Sequence, residues 1–258
     1  MKLKKDPKFL VRQVRHLPGH HRYVNPFVRR LLRSILNFIK YLHDNGMCME
    51  NGFSIKNIVI VQPHTPKFVG LEFISFSPKN EDYMSVSRLI STIYPNNTVP
   101  GELSRLQDLL GMPSGVEELI HRHASLWEPD ERLWLLTVVE NNLGYLRPME
   151  RASYNTAVIR MNLPFWIKAR GWISLIQDGT PLYKFLYKVT GETEYYDTKP
   201  YFVRFLRDAV THVAKNSEKG TSLEECEIDP LLSALFPQAL VEYQRQLFEY
   251  GLDRYLVR

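Results

Sequence analysis

Apolar residues recur at helical spacing along most of this chain. Phe27, Leu31, Ile35, Phe38 and Leu42 share one face of a helix over residues 26–43, and Pro26 stands near its start. Residues 46–53 read as a turn-rich loop. The run Ile58, Val59, Ile60, Val61 reads as a short strand, residues 63–67 as a turn, and residues 68–76 as a second strand. A helix over 82–93 has Val86, Leu89, Ile90 and Ile93 as core positions, and the stretch from Pro95 to Pro100 ends it. Further helices follow over 102–110 and 116–123. A break falls near residues 123–127. After Pro129 the pattern predicts a helix over 130–143 with Leu133, Leu136, Val139 and Leu143 inward, and another opening at 148–151. Trp166 and Trp172 bracket a segment that ends in a loop at 177–181. Phe185, Leu186 and Val189 read as core. Tyr195 and Tyr196 lie on a loop over 191–200. A helix over 202–215, a polar loop over 216–226 and a final helix over 236–250 complete the pattern. The expected class is mainly α with one small β-hairpin.

The helix over 202–215 carries the most distinctive chemistry. Val203, Leu206, Val210 and Val213 give it a buried stripe, which places Arg204, Asp208 and His212, four residues apart, on the opposite face with Arg207 on the flank. A His, a carboxylate and two guanidinium groups on one face can bind a phosphodiester and move a proton. An amphipathic helix also has a charged outer face as a matter of course, so the pattern alone decides nothing.

Composition narrows the classes only modestly. The 258 residues are 44% hydrophobic and 24% charged, ordinary for a globular protein. No run reaches the roughly 20 apolar residues that cross a bilayer, and the basic first 15 residues lack the apolar core of a signal peptide. The expected location is the cytoplasm, or the cytosolic face of the endoplasmic reticulum through a partner. The two cysteines, Cys48 and Cys226, imply no disulfide framework. His16, His20, His21, His43, His64, His121 and His123 show no metal spacing with an acidic partner, so no metal and no cofactor is expected. A net charge of +5, densest before Lys40, favours a polyanionic partner such as RNA.

Two resemblances join these features. Leu42-His43, the loop, Asn57-Ile58-Val59-Ile60, the turn and Glu72-Phe73 resemble, in order, the C-terminal lobe of a protein kinase. The chain departs from that pattern. Met49-Glu50-Asn51-Gly52-Phe53 lies between His43 and Asn57 with no catalytic Asp, and Glu72-Phe73-Ile74 stands where the resemblance puts Asp-Phe-Gly. No Gly-rich loop or strand Lys has a place here, so phosphoryl transfer is not expected. The most economical role for Asn57 is to cap its loop.

The second resemblance begins at His123-Ala124-Ser125-Leu126-Trp127-Glu128-Pro129 and continues through Arg132-Leu133. This is similar to the junction between kinase and nuclease in the Ire-type unfolded-protein-response sensors and RNase L. The nuclease there is the kinase-extension nuclease (KEN) domain. Trp172, the Tyr195/Tyr196 loop, Arg207-Asp208 with His212, and Phe236-Pro237 follow in the family's order. Charge marks off a basic segment over 1–25; the resemblance implies a truncated and degenerate kinase C-lobe over 26–122 that lacks its N-lobe, and an all-α KEN domain over 123–258. It implies metal-independent cleavage of RNA to a 2′,3′-cyclic phosphate, with His212 as general acid, Arg207 on the phosphate and Tyr195 or Tyr196 as base or orienting group. It also implies a homodimer, or a heterodimer with a full-length family member. Asp208 is a departure, since the family has Asn there. A carboxylate repels phosphate and holds a nearby imidazole protonated, so reduced activity is expected. The alternative is a catalytically silent pseudokinase–KEN protein that dimerises with a full-length relative and modulates it.

Overall fold

The structure is a computed structural model that describes residues 11–13, 22–61, 65–75, 80–95, 99–163, 171–176, 195–211, 225–252 and 254. It is mainly helical, with short antiparallel strand pairs. Two three-residue strands, β1 (Val11–Gln13) and β2 (Arg22–Val24), come first in the chain. Apart from Gln13, which groups with the second, the described residues divide between Trp127 and Glu128 into two compact units.

In the first unit the organising element is α1 (Pro26–Asp44). Asn25 caps it by accepting a hydrogen bond from the Phe27 N–H at 2.8 Å, and Pro26 occupies the first turn, where a missing N–H costs nothing. Val28, Leu31, Leu32, Ile35, Leu36, Ile39 and Leu42 are buried along one side. Each such side chain contributes roughly 1.5–3 kcal/mol when fully buried. Phe27 and Phe38 are only partly buried. Phe38 lies at the margin of the buried stripe, stacked on Phe68 with ring centroids 4.9 Å apart.

The strand region differs from its sequence pattern. Residues 46–53 contain a strand, β3 (Met47–Met49). The predicted strand over 68–76 is two pieces, β5 (Thr65–Phe68) and β6 (Phe73–Ser75), with Gly70 at φ +63° between them. A residue in that left-handed conformation ends a ladder, and glycine adopts it without strain. The strand β4 (Ile58–Val61) pairs antiparallel with β5, placing Ile58 opposite Phe68, while β3 pairs with β6, placing Met49 opposite Phe73.

Helices α2 (Asn80–Ile93), α3 (Gly101–Gly111) and α4 (Glu117–His121) complete this unit's core. Val86, Leu89, Ile90 and Ile93 are all buried, as their spacing predicts. Asp82, in the first turn of α2, is 1% exposed and is hydrogen-bonded to His43 Nε2 at 2.8 Å and to the Met49 N–H at 3.3 Å. A buried carboxylate needs such partners, and here they tie α1, β3 and α2 together. A one-turn 3₁₀ helix over Ala124–Leu126 follows, capped by the buried His123, whose Nδ1 lies 2.7 Å from Ser125 Oγ. The Trp127 carbonyl accepts a hydrogen bond from Arg29 Nη1 of α1 at 2.9 Å.

The second unit contains α5 (Pro129–Asn142), α6 (Pro148–Arg160), α7 (Trp172–Ile176), α8 (Lys199–Thr211), α9 (Glu225–Leu235) and α10 (Ala239–Glu249). Helix α9 starts inside the stretch read from sequence as a polar loop. The buried side of α5 carries Arg132, Leu135 and Leu136, while Leu133 is only half-buried. The stripe turns toward Arg132 because its guanidinium finds partners inside. Its Nε donates to Asp229 Oδ1 at 2.6 Å and its Nη2 to Ser233 Oγ at 2.8 Å. A buried charge is tolerated when it is paired and hydrogen-bonded in this way. Phe236 packs edge-on against Phe202 of α8 at 5.0 Å. The Val139 side chain, Trp166, Phe185, Leu186, Val189 and the 177–181 loop lie outside the described residues.

One titration is built into the first unit. His121 Nε2 lies 2.9 Å from the Tyr83 hydroxyl, and burial, reinforced by the Lys40 charge, pushes His121 down to about 4 from 6.5. Between those values the unfolded chain binds a proton that the folded chain does not. Stability from this group is therefore complete above about pH 6.5 and lost as the pH falls toward 4. Urea unfolding at pH 7, 5 and 4 should show the wild-type midpoint dropping more than that of His121→Gln. Equal drops would contradict this assignment.

Candidate active site around Asp208

Helix α8 positions the site. Val203 and Leu206 are buried as their spacing predicts, and Val210 is half-buried. Phe202, Phe205 and Ala209 are buried too and make a second apolar flank, so the inward face is wider than the valine–leucine stripe alone. Asp208 consequently does not face solvent beside Arg204. It is 8% exposed, whereas Arg204 is open to solvent.

A carboxylate with so little exposure loses its hydration and must be supplied with donors. Tyr195 Oη donates to Asp208 Oδ2 at 2.6 Å. Arg207 donates to Oδ1 through Nε at 2.8 Å and through Nη2 as well. Arg204 Nε stands 3.7 Å from Oδ2, one helical turn away. Both carboxylate oxygens are thus engaged, one by a phenol and a guanidinium, the other by a second guanidinium.

The Tyr195 ring is held by aromatic neighbours. It meets Trp172 edge-on at 5.8 Å, Phe205 at 6.0 Å and Tyr201 at 6.4 Å. Burial, followed by the hydrogen bond to Asp208 and its charge, raises the Tyr195 phenol far above its ordinary value. Tyr195 is therefore a fixed hydrogen-bond donor at neutral pH. Tyr196 is 52% exposed, and its ring packs edge-on against Tyr201 at 5.0 Å. Of the two tyrosines, it is Tyr195 that shares a site with Arg207 and Asp208. Trp172 is 3% exposed and stacks on Phe205 at 4.9 Å, which makes it a packing residue. His212 lies outside the described residues and follows Thr211 in sequence.

The loop that delivers Tyr195 is fastened at Asp197, whose Oδ1 accepts the Ile173 N–H at 3.4 Å. Gly171 makes this approach possible. It has φ +74°, and a Cβ there would lie 1.8 Å from Asp197 Oδ2. Spacing alone could not reveal Gly171, Asp197 or the Tyr195–Asp208 bond, because they join separate segments.

Asn57 and Glu72 lie, with Asn51, Gly52, Ser54 and Arg88, in the wall of a cleft of about 530 Å³ in the first unit. Asn57 Oδ1 accepts the Ser54 N–H at 3.0 Å, and its Nδ2 donates to the Val69 carbonyl at 3.2 Å, so its amide fastens the loop. A hydrogen bond that the protonated Glu50 carboxyl donates to Glu72, and then the Glu72 charge, raise the Glu50 carboxyl above its ordinary value. Among the described residues, no group of three or more His, Cys, Asp or Glu side chains is placed to hold a metal ion, and no helix is long and apolar enough to cross a membrane.

No protein-family model matches this chain, and no curated protein matches it.

Gly171→Ala should break the Asp197 contact and force a side chain into a left-handed backbone. The expected cost is about 1–3 kcal/mol in urea unfolding. A variant as stable as wild type would show that the Tyr195 loop does not depend on this approach.

Proposed function

We propose that the chain is a metal-independent endoribonuclease of the KEN type, with a kinase-inactive lobe as scaffold and with activity attenuated by Asp208. The observation that carries this reading is the convergence of Tyr195 and Arg207, twelve positions apart, at one point on the helix that leads to His212. Such an enzyme needs cationic donors for the charge on the phosphorane, an acid for the leaving 5′-oxygen and a group that orients the 2′-hydroxyl. Arg207 supplies a guanidinium able to donate two hydrogen bonds to a phosphate. His212 supplies the acid, with an ordinary pKa of about 6.5 suited to holding and releasing a proton near neutrality. Tyr195, held as a phenol, orients the 2′-hydroxyl and does not serve as the base; as the 2′-oxygen attacks phosphorus its proton passes to solvent water, and the P–O bond to the 5′-oxygen breaks as His212 protonates that oxygen. The products are a 2′,3′-cyclic phosphate and a free 5′-hydroxyl. RNA is the substrate class, and a dimer with a second copy or with a full-length relative is the working assembly.

A second reading is favoured by one specific observation. Asp208 already occupies both Tyr195 and Arg207. In that reading the chain is silent and modulates a full-length family member by dimerising with it, while the lack of a catalytic Asp between His43 and Asn57 and the Glu72-Phe73-Ile74 sequence leave the first lobe without kinase activity.

The deciding experiment is cleavage of a fluorescent stem-loop RNA in EDTA at protein concentrations that permit dimers. Wild type should cleave it slowly to a cyclic phosphate, His212→Ala should not, and Asp208→Asn should cleave at least tenfold faster than wild type. Equal rates for wild type and His212→Ala would reject His212 as the acid. No cleavage by wild type or Asp208→Asn would replace this reading with the silent one.

A further inference from the structure

We infer that Asp208 is a built-in anion filling an oxyanion site, a site that accepts a phosphate or phosphodiester group once this carboxylate is neutralised. The inference rests on the ribonuclease reading for the purpose of the site, but its physical argument stands on the contacts alone.

Three donors from two segments converge on one carboxylate. Arg204 and Arg207 come from α8, and Tyr195 comes from the preceding loop. An ordinary helix-surface aspartate has one partner four residues away and water on its other oxygen. Here Oδ1 takes two N–H groups of Arg207, while Oδ2 takes the Tyr195 hydroxyl and faces Arg204. Guanidinium groups and a fixed phenol are the donors that phosphate oxygens use in protein sites, and a carboxylate presents two oxygens in a similar fork.

The charges agree with this assignment. Two guanidinium groups, both cationic, face the one carboxylate. Exposure also agrees. The Asp208 side chain is 11% exposed, but those of Arg207 and Arg204 are 27% and 47% exposed. The donors therefore reach solvent, and a solvent anion can approach them. In wild type the carboxylate already satisfies them and repels a second anion. An Asn of the same shape retains an oxygen for the Tyr195 hydroxyl and removes the charge, so both guanidinium groups regain affinity for an external oxyanion.

The test is calorimetric titration of full-length wild type, Asp208→Asn and Asp208→Ser with inorganic phosphate, at constant ionic strength. A parallel arm uses a 2′-O-methylated trinucleotide, which cannot be cleaved. Both variants should bind at least one probe tenfold or more tightly than wild type, and the added substitution Arg207→Gln should remove the gain. Tighter binding of the trinucleotide identifies a nucleic-acid backbone as the ligand, and tighter binding of phosphate identifies a free anion. If neither variant gains affinity over wild type, the inference is wrong. Should a variant not fold in chloride, recovery of its circular-dichroism signal in phosphate but not in chloride supports the site, and failure in both overturns it. Anion capture without RNA cleavage by Asp208→Asn would leave this inference standing while the ribonuclease reading fails.

Discussion

A carboxylate cannot be left dry and unpaired inside a protein, and that constraint shapes the second unit around Asp208. Its near-complete burial requires donors on both oxygens. The helix provides Arg204 and Arg207, and only a loop brought across by the Gly171–Asp197 approach provides the hydroxyl of Tyr195. The aromatic cluster of Trp172, Phe202, Phe205 and Phe236 then has two tasks. It buries apolar area, and it removes the water that would otherwise solvate the carboxylate and weaken each charged contact. The same arrangement that stabilises the site also keeps the phenol protonated.

Buried ion partners recur as the fold's fasteners. Asp82 joins the end of α1 to β3 and α2 through His43 and the Met49 backbone. Arg132 joins α5 to α9 through Asp229 and Ser233. In each case a charged residue sits in an interior position because partners distant in sequence compensate its lost hydration. Such pairs specify which helices meet, a property that apolar packing alone distributes less sharply.

How much of this was legible in the sequence follows from the range of each interaction. The long α1, with Leu31, Ile35 and Leu42 on its buried side, and the core of α2 were readable because helical periodicity is local. The strand over 68–76 was misread because the apolar residues Phe68, Val69, Leu71, Phe73 and Ile74 lie on both sides of Gly70, and their pattern does not reveal that the chain turns there through a left-handed conformation. Leu133 was expected inward, but periodicity cannot register that Arg132 has an acid and a hydroxyl roughly a hundred residues away. At the candidate site, Arg207, Asp208 and the two tyrosines were visible as residue types. The choice of Tyr195 over Tyr196, and the inward position of Asp208, depended on tertiary contacts with Trp172 and Phe205.

The central claim is that the Tyr195 phenol and the Asp208 carboxylate are energetically coupled in the folded protein. A double-mutant cycle with Tyr195→Phe and Asp208→Asn, read by urea unfolding at neutral pH, measures that coupling directly. The account predicts an interaction energy of about 1–3 kcal/mol, the range for a buried hydrogen bond to a charged group. Strictly additive effects of the two substitutions would contradict it.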